Sequence, residues 1–388
     1  MTLNSEIVRV TATPLHVPVV LEAAGIEKKT SLSVCLVEVE DRAGRVGHGF
    51  TAITEEEIVA AAVNEVAAHN LIGDDALAHE RVWEKLYWLL SPRGQTGYAS
   101  HAIAAVDVAL WDLKGKVLGQ PVWRLLGGAR AKVPVYTTFG FGAYARDELA
   151  AAAKWWVDRG HRRLKMVVGQ HALQRRDEPR AIGEVIAEDA RRVRAVRDAV
   201  GPEVDLHVDA NCSLDVFHAG QLARALEEQG VSCFEEPVKE NDIPALMALR
   251  RATRLPLAAG QNEGLAWRFR DLMAARAVDI VQPNVVIGGG FTQCQRIAGM
   301  ASAFNMPMAN GGAWAHHNMH LHGGLANGGL VEYHYAAVRV CEAIYGPLPA
   351  PEQGWLALAE APGLGFAPDA ARVKELAQRP TSRGKGKA

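Results

Sequence analysis

Residues 6–50 alternate apolar and polar side chains, and the run SLSVCLVEVED (31–41) closes on Arg42-Ala43-Gly44 before VGHGF (46–50) resumes. A period of two marks a half-buried strand and a short glycine-containing break marks a turn, so this segment predicts a meander of antiparallel strands. From Thr54 the spacing becomes helical. In 101–118 (HAIAAVDVALWDLKGKVL) Ile103, Val106, Leu110, Leu113 and Val117 form one stripe that Gly119 and Pro121 end. Strands followed by helices predict an α+β unit over residues 1–128.

Beyond Gly128 short apolar runs alternate with helical patterns. The runs are VPVYTTF (133–139), RLKMVV (163–168), VDLHVDA (204–210), SCFEEP (232–237), LPLAAG (255–260), VDIVQP (278–283), MPMAN (306–310) and LVEYH (330–334). Helical stretches such as 188–200 and 292–304 lie between them. Eight alternations predict an α/β fold in which a (β/α)8 TIM-type barrel over 129–354 follows the N-terminal α+β unit. Residues 355–377 return towards that unit, and the basic, apolar-poor tail 378–388 is expected to be disordered. A doubly wound open sheet is the competing architecture, but no glycine-rich phosphate loop follows the first run.

Composition narrows the partners. A formal net charge of -2 over 388 residues offers nothing to nucleic acid or an anionic membrane, so a small molecule is the expected partner. The first residues lack the layout of a signal peptide, and no apolar run approaches bilayer length. Five cysteines are scattered without CxxC spacing, as reduced thiols are. A cytoplasmic protein is the expectation.

In a barrel the strand ends converge on one mouth, where catalysis is built. Asp209, Glu235 with Glu236, Gln261 and Glu332 fall at such ends. Acids from separate strands repel unless a cation neutralises them, which points to a hard divalent ion with oxygen ligands, Mg2+. Period-two alternation turns Lys165 inward as a cation among them, and puts His207 below Asp209 as barrel filling. A structural salt bridge is the competing reading of Lys165.

The segments VALWDLKGKVLGQPVWRLLGG (108–128), LKMVVG (164–169), VDAN (208–211), FEEP (234–237), AAGQNE (258–263), DIVQPN (279–284) and GGGFTQ (288–293) resemble the mandelate racemase branch of the enolase superfamily. The likeness to mandelate racemase/muconate lactonizing enzyme-like proteins runs from the capping domain to the eighth strand. It implies Mg2+ held by Asp209 and Glu235, a polar substrate-side Asn211, an acid Glu332, and a loop near residues 20–30 closing over the site with Lys28 and Lys29 as carboxylate contacts.

The departures are equally specific. Gln261 stands where the family has Glu, Val167 where it has the second lysine of KxK, and Asn284 where it has Asp; the usual catalytic His near 306–312 is missing. Gln261 can ligate through its amide oxygen, with Glu263 the alternative third ligand roughly 6–7 Å further along the chain. For proton transfer, Lys165 acts if desolvation lowers its pKa, and His316 and His317 of AWAHHNMHLHGG (313–324) are the other candidates. Asn284, Trp314 and Lys28 complete the expected substrate-binding set. The long stretch 170–189, with Arg175, Arg176 and Arg180, is expected to reach the mouth. Together these predict an Mg2+-dependent lyase that removes the α-proton of a (poly)hydroxy carboxylate through an enediolate, foremost a sugar-acid dehydratase. A racemase, epimerase or cycloisomerase is the first alternative, and a non-catalytic metal- and carboxylate-binding relative is the second. A homo-oligomer is expected by analogy.

Overall fold

The computed structural model describes residues 4–53, 55–94, 97–170, 172–175 and 177–378. The tail from 379 and Arg176 lie outside the described residues. Strands β1 (Ile7–Ala23), β2 (Ile26–Asp41) and β3 (Val46–Ala52) form an antiparallel sheet in that order. Pairing of β1 with β2 runs to the tip, where Ala23 faces Ile26 and only Ala24 and Gly25 turn the chain, both with positive φ. Two such residues match the twist of the strands they join. The expected loop over 20–30 is therefore a hairpin, because the alternation persists: Val17, Val19, Leu21 and Ala23 are buried while Pro18, Val20 and Glu22 face out.

The helix Tyr98–Leu118 lies directly on β3. A Cβ at Gly47 or Gly49 would stand 2.1 Å from Ala109 O or 1.8 Å from Ala105 O, so glycine is what lets the two backbones meet. The same helix anchors the barrel. Asp107 accepts hydrogen bonds from the Thr292 amide (3.0 Å) and hydroxyl (2.6 Å), and Trp111 Nε1 donates to Thr292 Oγ1 at 3.0 Å. Its burial on nearly every face follows from serving both partners.

The barrel strands are β4 (Lys132–Gly140), β5 (Arg163–Val167), β6 (Asp205–Asp209), β7 (Cys233–Glu235), β8 (Leu257–Ala259), β9 (Ile280–Val281) and β10 (Val331–His334). They pair in parallel in chain order, and β10 pairs with β4. The expected strand at 306–310 is reduced to a single bridge, Met308 to Val281. Pro307 has no N–H to give, and the Asn310 side chain accepts from the Glu332 amide (3.1 Å) in place of a ladder bond. Hydrogen bonds from Val281 N to Pro307 O (3.1 Å), Ala309 N to Val281 O (3.0 Å) and Asn310 N to Leu330 O (2.8 Å) nevertheless link this segment to both neighbours.

The C-terminal segment touches both parts of the fold. Strand β11 (Trp355–Ala357) pairs antiparallel with β4, and the helix Ala370–Ala377 packs on β1. The stretch 170–189 is less of a loop than its length suggests, since it holds a 3-10 turn at Ala172–Arg175 and a helix beginning at Ile182.

Gly49→Ala should lower stability by about 3 kcal/mol through overpacking against the helix backbone. Gly25→Ala, in open space, should cost about 1 kcal/mol from its positive φ. Urea titrations of the two variants check the ordering.

Candidate active site

The register sets the site. Lys165 pairs with His207 one step below the pairs of Val167 with Asp209 and of Asp209 with Glu235. A lysine stem spans that step, and Nζ lies 3.0 Å from Asp209 Oδ2, 2.8 Å from Glu235 Oε2 and 3.0 Å from Glu332 Oε1, on β6, β7 and β10. The ammonium also sits 5.4 Å from the centre of the Tyr136 ring. Burial disfavours its charge, but Asp209, Glu235 and Glu332 outweigh burial and hold its pKa well above the usual lysine value. The lowering expected from desolvation is thereby reversed. Glu332 is further held by the Thr138 hydroxyl and by the Ala313 amide at 2.7 Å. Burial works against its charge, yet Lys165 prevails and its pKa is lowered.

One carboxylate in this set was underrated from sequence. Glu236, fully buried with φ 41°, accepts from Gln261 Nε2 (2.7 Å), Asn262 Nδ2 (2.6 Å) and Asn241 Nδ2 (2.9 Å). Its partners are neutral amides. Burial first, and the charge of Asp209 second, push its pKa up to about 7. The same two causes raise Glu235 well above the carboxylate range. Gln261 Nε2 also lies 3.4 Å from Asp209 Oδ2, so its amide bridges two acids. Glu263 does not join them, because Arg268 (2.9 Å) and Asn241 (3.1 Å) engage it.

Asp209, Glu235, Glu236 and Glu332 thus face one buried cation, Lys165, among the described residues. Glu235 Oε1 is buried with no hydrogen-bond partner, against Gly311, where a Cβ would stand 3.1 Å from it. Four buried acids around a single ammonium and an unpartnered carboxylate oxygen fit a hard divalent cation. Asp209 and Glu235 would supply carboxylates. Gln261 would serve by turning its amide oxygen inward, and Glu236 stands beside it.

Beside these acids a cavity of about 900 Å3 opens between the loops that follow β5, β6, β7 and β8, with Asn211, Asn241 and Asn262 in its lining.

Residues 148–372 match the enolase C-terminal domain-like family, and residues 4–127 match the mandelate racemase / muconate lactonizing enzyme N-terminal domain. The chain belongs to this branch of the enolase superfamily. It is 29% identical over 342 residues to arabinonate dehydratase of Saccharolobus solfataricus, covering 86% of this chain and 88% of the relative. It is 34% identical over 268 residues to D-galactarolactone cycloisomerase of Agrobacterium fabrum, covering 69% of this chain and 68% of that one. Its fold matches a racemase from Streptomyces coelicolor A3(2) with bound magnesium, with TM-score 0.84 and 28% identity over 95% of this chain and 99% of the other.

Against this superfamily frame, several expected site residues lie elsewhere. His316 donates through Nε2 to Pro349 O at 2.8 Å, and His317 stacks on Phe50 of β3 with centroids 4.9 Å apart. Both are buried because the helix Ala315–Gly324 is enclosed on all sides, with His317 against β3 and His316 against Tyr333 and Phe366. Neither ring meets the carboxylates. Trp314 is core as well, packed on Phe50. Asn284 directs its amide to Gly311 O (2.7 Å) and Gly312 O (2.9 Å), so it shapes the loop over the site rather than facing ligand. Lys28 pairs with Glu148 at 2.9 Å. The Asn211 backbone N–H donates to Asp209 Oδ1 at 2.8 Å, and the residue lines the cavity. Arg180 lies 4.0 Å from Glu178 on the surface. One residue was missed. His334 lies two positions beyond Glu332 on β10, so the parity that turns Glu332 inward carries it to the mouth, where it meets the Phe141 ring at 5.1 Å.

The histidine-rich helix has a consequence for stability. Burial lowers the pKa of His316, holds His317 and His322 at about 3, and holds His320 at about 4. In the unfolded chain each takes up a proton near pH 6.5. The unfolded state therefore binds more protons below that pH, and stability falls on acidification by about 1.4 kcal/mol per pH unit for each histidine until its folded value is reached. His320→Gln with His322→Gln should flatten the acid limb by about twice that slope, as urea titrations between pH 7.5 and 5 would show.

Proposed function

We propose that this protein is a magnesium-dependent lyase that removes the proton next to the carboxylate of a sugar acid and expels a neighbouring hydroxyl. The observation that carries the reading is the fully buried lysine among more carboxylates than it can neutralise, one of which has an unpartnered oxygen. Asp209 and Glu235, with Gln261, would hold Mg2+. When bound, the ion supplies Lewis-acid stabilisation for negative charge developing on the substrate carboxylate. The five cysteines, all free thiols, suit a cytoplasmic setting. No described helix is long and apolar enough to cross a membrane, and the family likeness suggests a homo-oligomer.

The chain's own groups then divide the work. Lys165 would take the α-proton at Nζ as the neutral amine, a form made accessible when a cation held by Asp209 and Glu235 offsets the charges that otherwise keep it an ammonium. Glu332, fixed by Thr138 and the Ala313 amide, keeps Nζ in place. His334 accepts from the Ala337 amide at Nδ1 (3.3 Å), which leaves Nε2 as its N–H. It is the group at the mouth suited to meet a departing hydroxyl. Racemisation would call for a second base across the substrate, and Asn284 and Asn310, both hydrogen-bonded to Gly311 O, are neutral amides. That favours dehydration.

Saturating Mg2+ at about a hundred times its Kd should stabilise the fold by about 2.7 kcal/mol, read as a higher Tm. Asp209→Asn or Glu235→Gln should abolish the shift. In D2O with a panel of sugar acids, the loaded protein should yield a 2-keto acid or α-deuterated substrate, and Lys165→Ala should lower the rate about 10^2- to 10^4-fold. His334→Asn should slow water loss more than α-exchange. An unchanged Tm with Mg2+ and no deuterium incorporation would sink the reading.

A further inference from the structure

A second polar cavity, of about 220 Å3, lies between the loop that follows β4 and the segment that follows β5. Tyr144 and Arg146 line it from the loop, Arg180 from the segment, and Glu188, Asp189 and Arg192 from the helix Ile182–Val200. Three guanidiniums thus share a small space with two carboxylates. Both carboxylates have other claims on them. Glu188 accepts from Arg146 (2.6 and 2.9 Å) and from Arg191 (3.0 Å), and Asp189 accepts from Arg192 (3.2 Å) and from the Gly169 amide (2.7 Å). Among the described residues the one ion pair of Arg180 is with Glu178, at 4.0 Å.

Arg192 decides what the cavity lacks. The residue is 8% exposed, and its two terminal nitrogens are tied to Asp189 and to Phe141 O (3.0 Å), while its Nε–H is buried with no hydrogen-bond partner. A buried donor on a charged group is costly to leave unmade, and an anionic oxygen is the acceptor that relieves it best. Arg250, Arg251, Arg254 and Arg276, around the segments that lead into β8 and β9 at the other end of the barrel, are all exposed, as solvated charges are. The volume falls below the roughly 300–1,000 Å3 of pockets for larger organic ligands. Donors converging from Arg146, Arg180 and Arg192 call for more acceptor oxygens than the two of a carboxylate.

We propose that this cavity is a phosphate site, taking inorganic phosphate or the phosphate group of a small monoester, held by Arg180 and Arg192 with Arg146 beside them. None of Lys165, Asp209, Glu235 and Glu332 lines it, so the assignment stands apart from the function proposed above. Its wall also seats the tip of the hairpin. Lys28 lies 5.3 Å from the centre of the Tyr144 ring, and Glu148, its ion-pair partner, accepts from the Ala145 amide at 2.8 Å. An occupant therefore bears on the loop against which the tip rests.

The test titrates inorganic phosphate, glycerol phosphate and acetate into the full chain by calorimetry, without Mg2+ and with ionic strength held constant by chloride. One phosphate compound should bind at a single saturable site, at least about tenfold more tightly than acetate, and should raise Tm. The tighter of the two assigns the source as free ion or monoester. Arg180→Glu, at an exposed position, should loosen that compound at least about tenfold. Arg192→Lys, which keeps the charge and loses the Nε–H, should loosen it about threefold or more. Arg251→Glu, at the far end of the barrel, should leave the affinity unchanged. Binding no tighter than acetate, an affinity unchanged in Arg180→Glu, or an equal loss in Arg251→Glu overturns the assignment.

Discussion

A single buried ammonium organises the barrel mouth. Lys165 meets carboxylates from β6, β7 and β10 within hydrogen-bond distance, and so ties the neighbouring strands β6 and β7 to β10, which is not adjacent to either. Removing one partner from such a set leaves a charge uncompensated in a medium that solvates it poorly, which is costly. The surrounding architecture reads as what makes the cluster tolerable: Thr138 and the Ala313 amide complete Glu332, Asn211 completes Asp209, and neutral amides complete Glu236. Everything that the site could do chemically depends on how this negative excess is relieved.

The replacements of acids by amides belong to the same balance. With Gln261 and Asn284 both carboxylates, the mouth would hold still more negative charge around one lysine. As amides they instead supply donors: Gln261 to Glu236 and Asp209, Asn284 to the loop 311–313. The price is a mouth with fewer groups able to exchange protons, which is why His334 matters.

Much of this was legible in the chain. Period-two runs located the barrel strands, and strand-end logic found Asp209, Glu235 and Glu332, because alternation dictates which side of a strand a residue occupies. Parity would also have found His334 had it been carried two residues past Glu332. What was not legible depended on contacts distant in sequence. The enclosure of His317 comes from Phe50, some 270 positions away, and Phe366 packs on both His316 and His317. The raised pKa of Lys165 required knowing that three acids converge on it, where burial alone argues for the opposite direction. The shortening of the seventh strand to a single bridge depends on the missing N–H of Pro307, which the apolarity of the run does not reveal.

The hairpin of β1 and β2 bears on how anything enters or leaves. Its tip is moored to the barrel at Tyr335, whose hydroxyl donates to Glu22 O (2.9 Å), and at Glu148 through Lys28. A flexible flap could part by refolding a few residues, but a ribbon paired to its end has no such slack. Away from its tip the same sheet is pinned to the barrel where β3 carries Thr51, whose hydroxyl donates to Val286 O at 2.6 Å. A ribbon pinned at two places has its position set by the seam between the two sheets, so a substitution far from any reacting atom bears on where it lies.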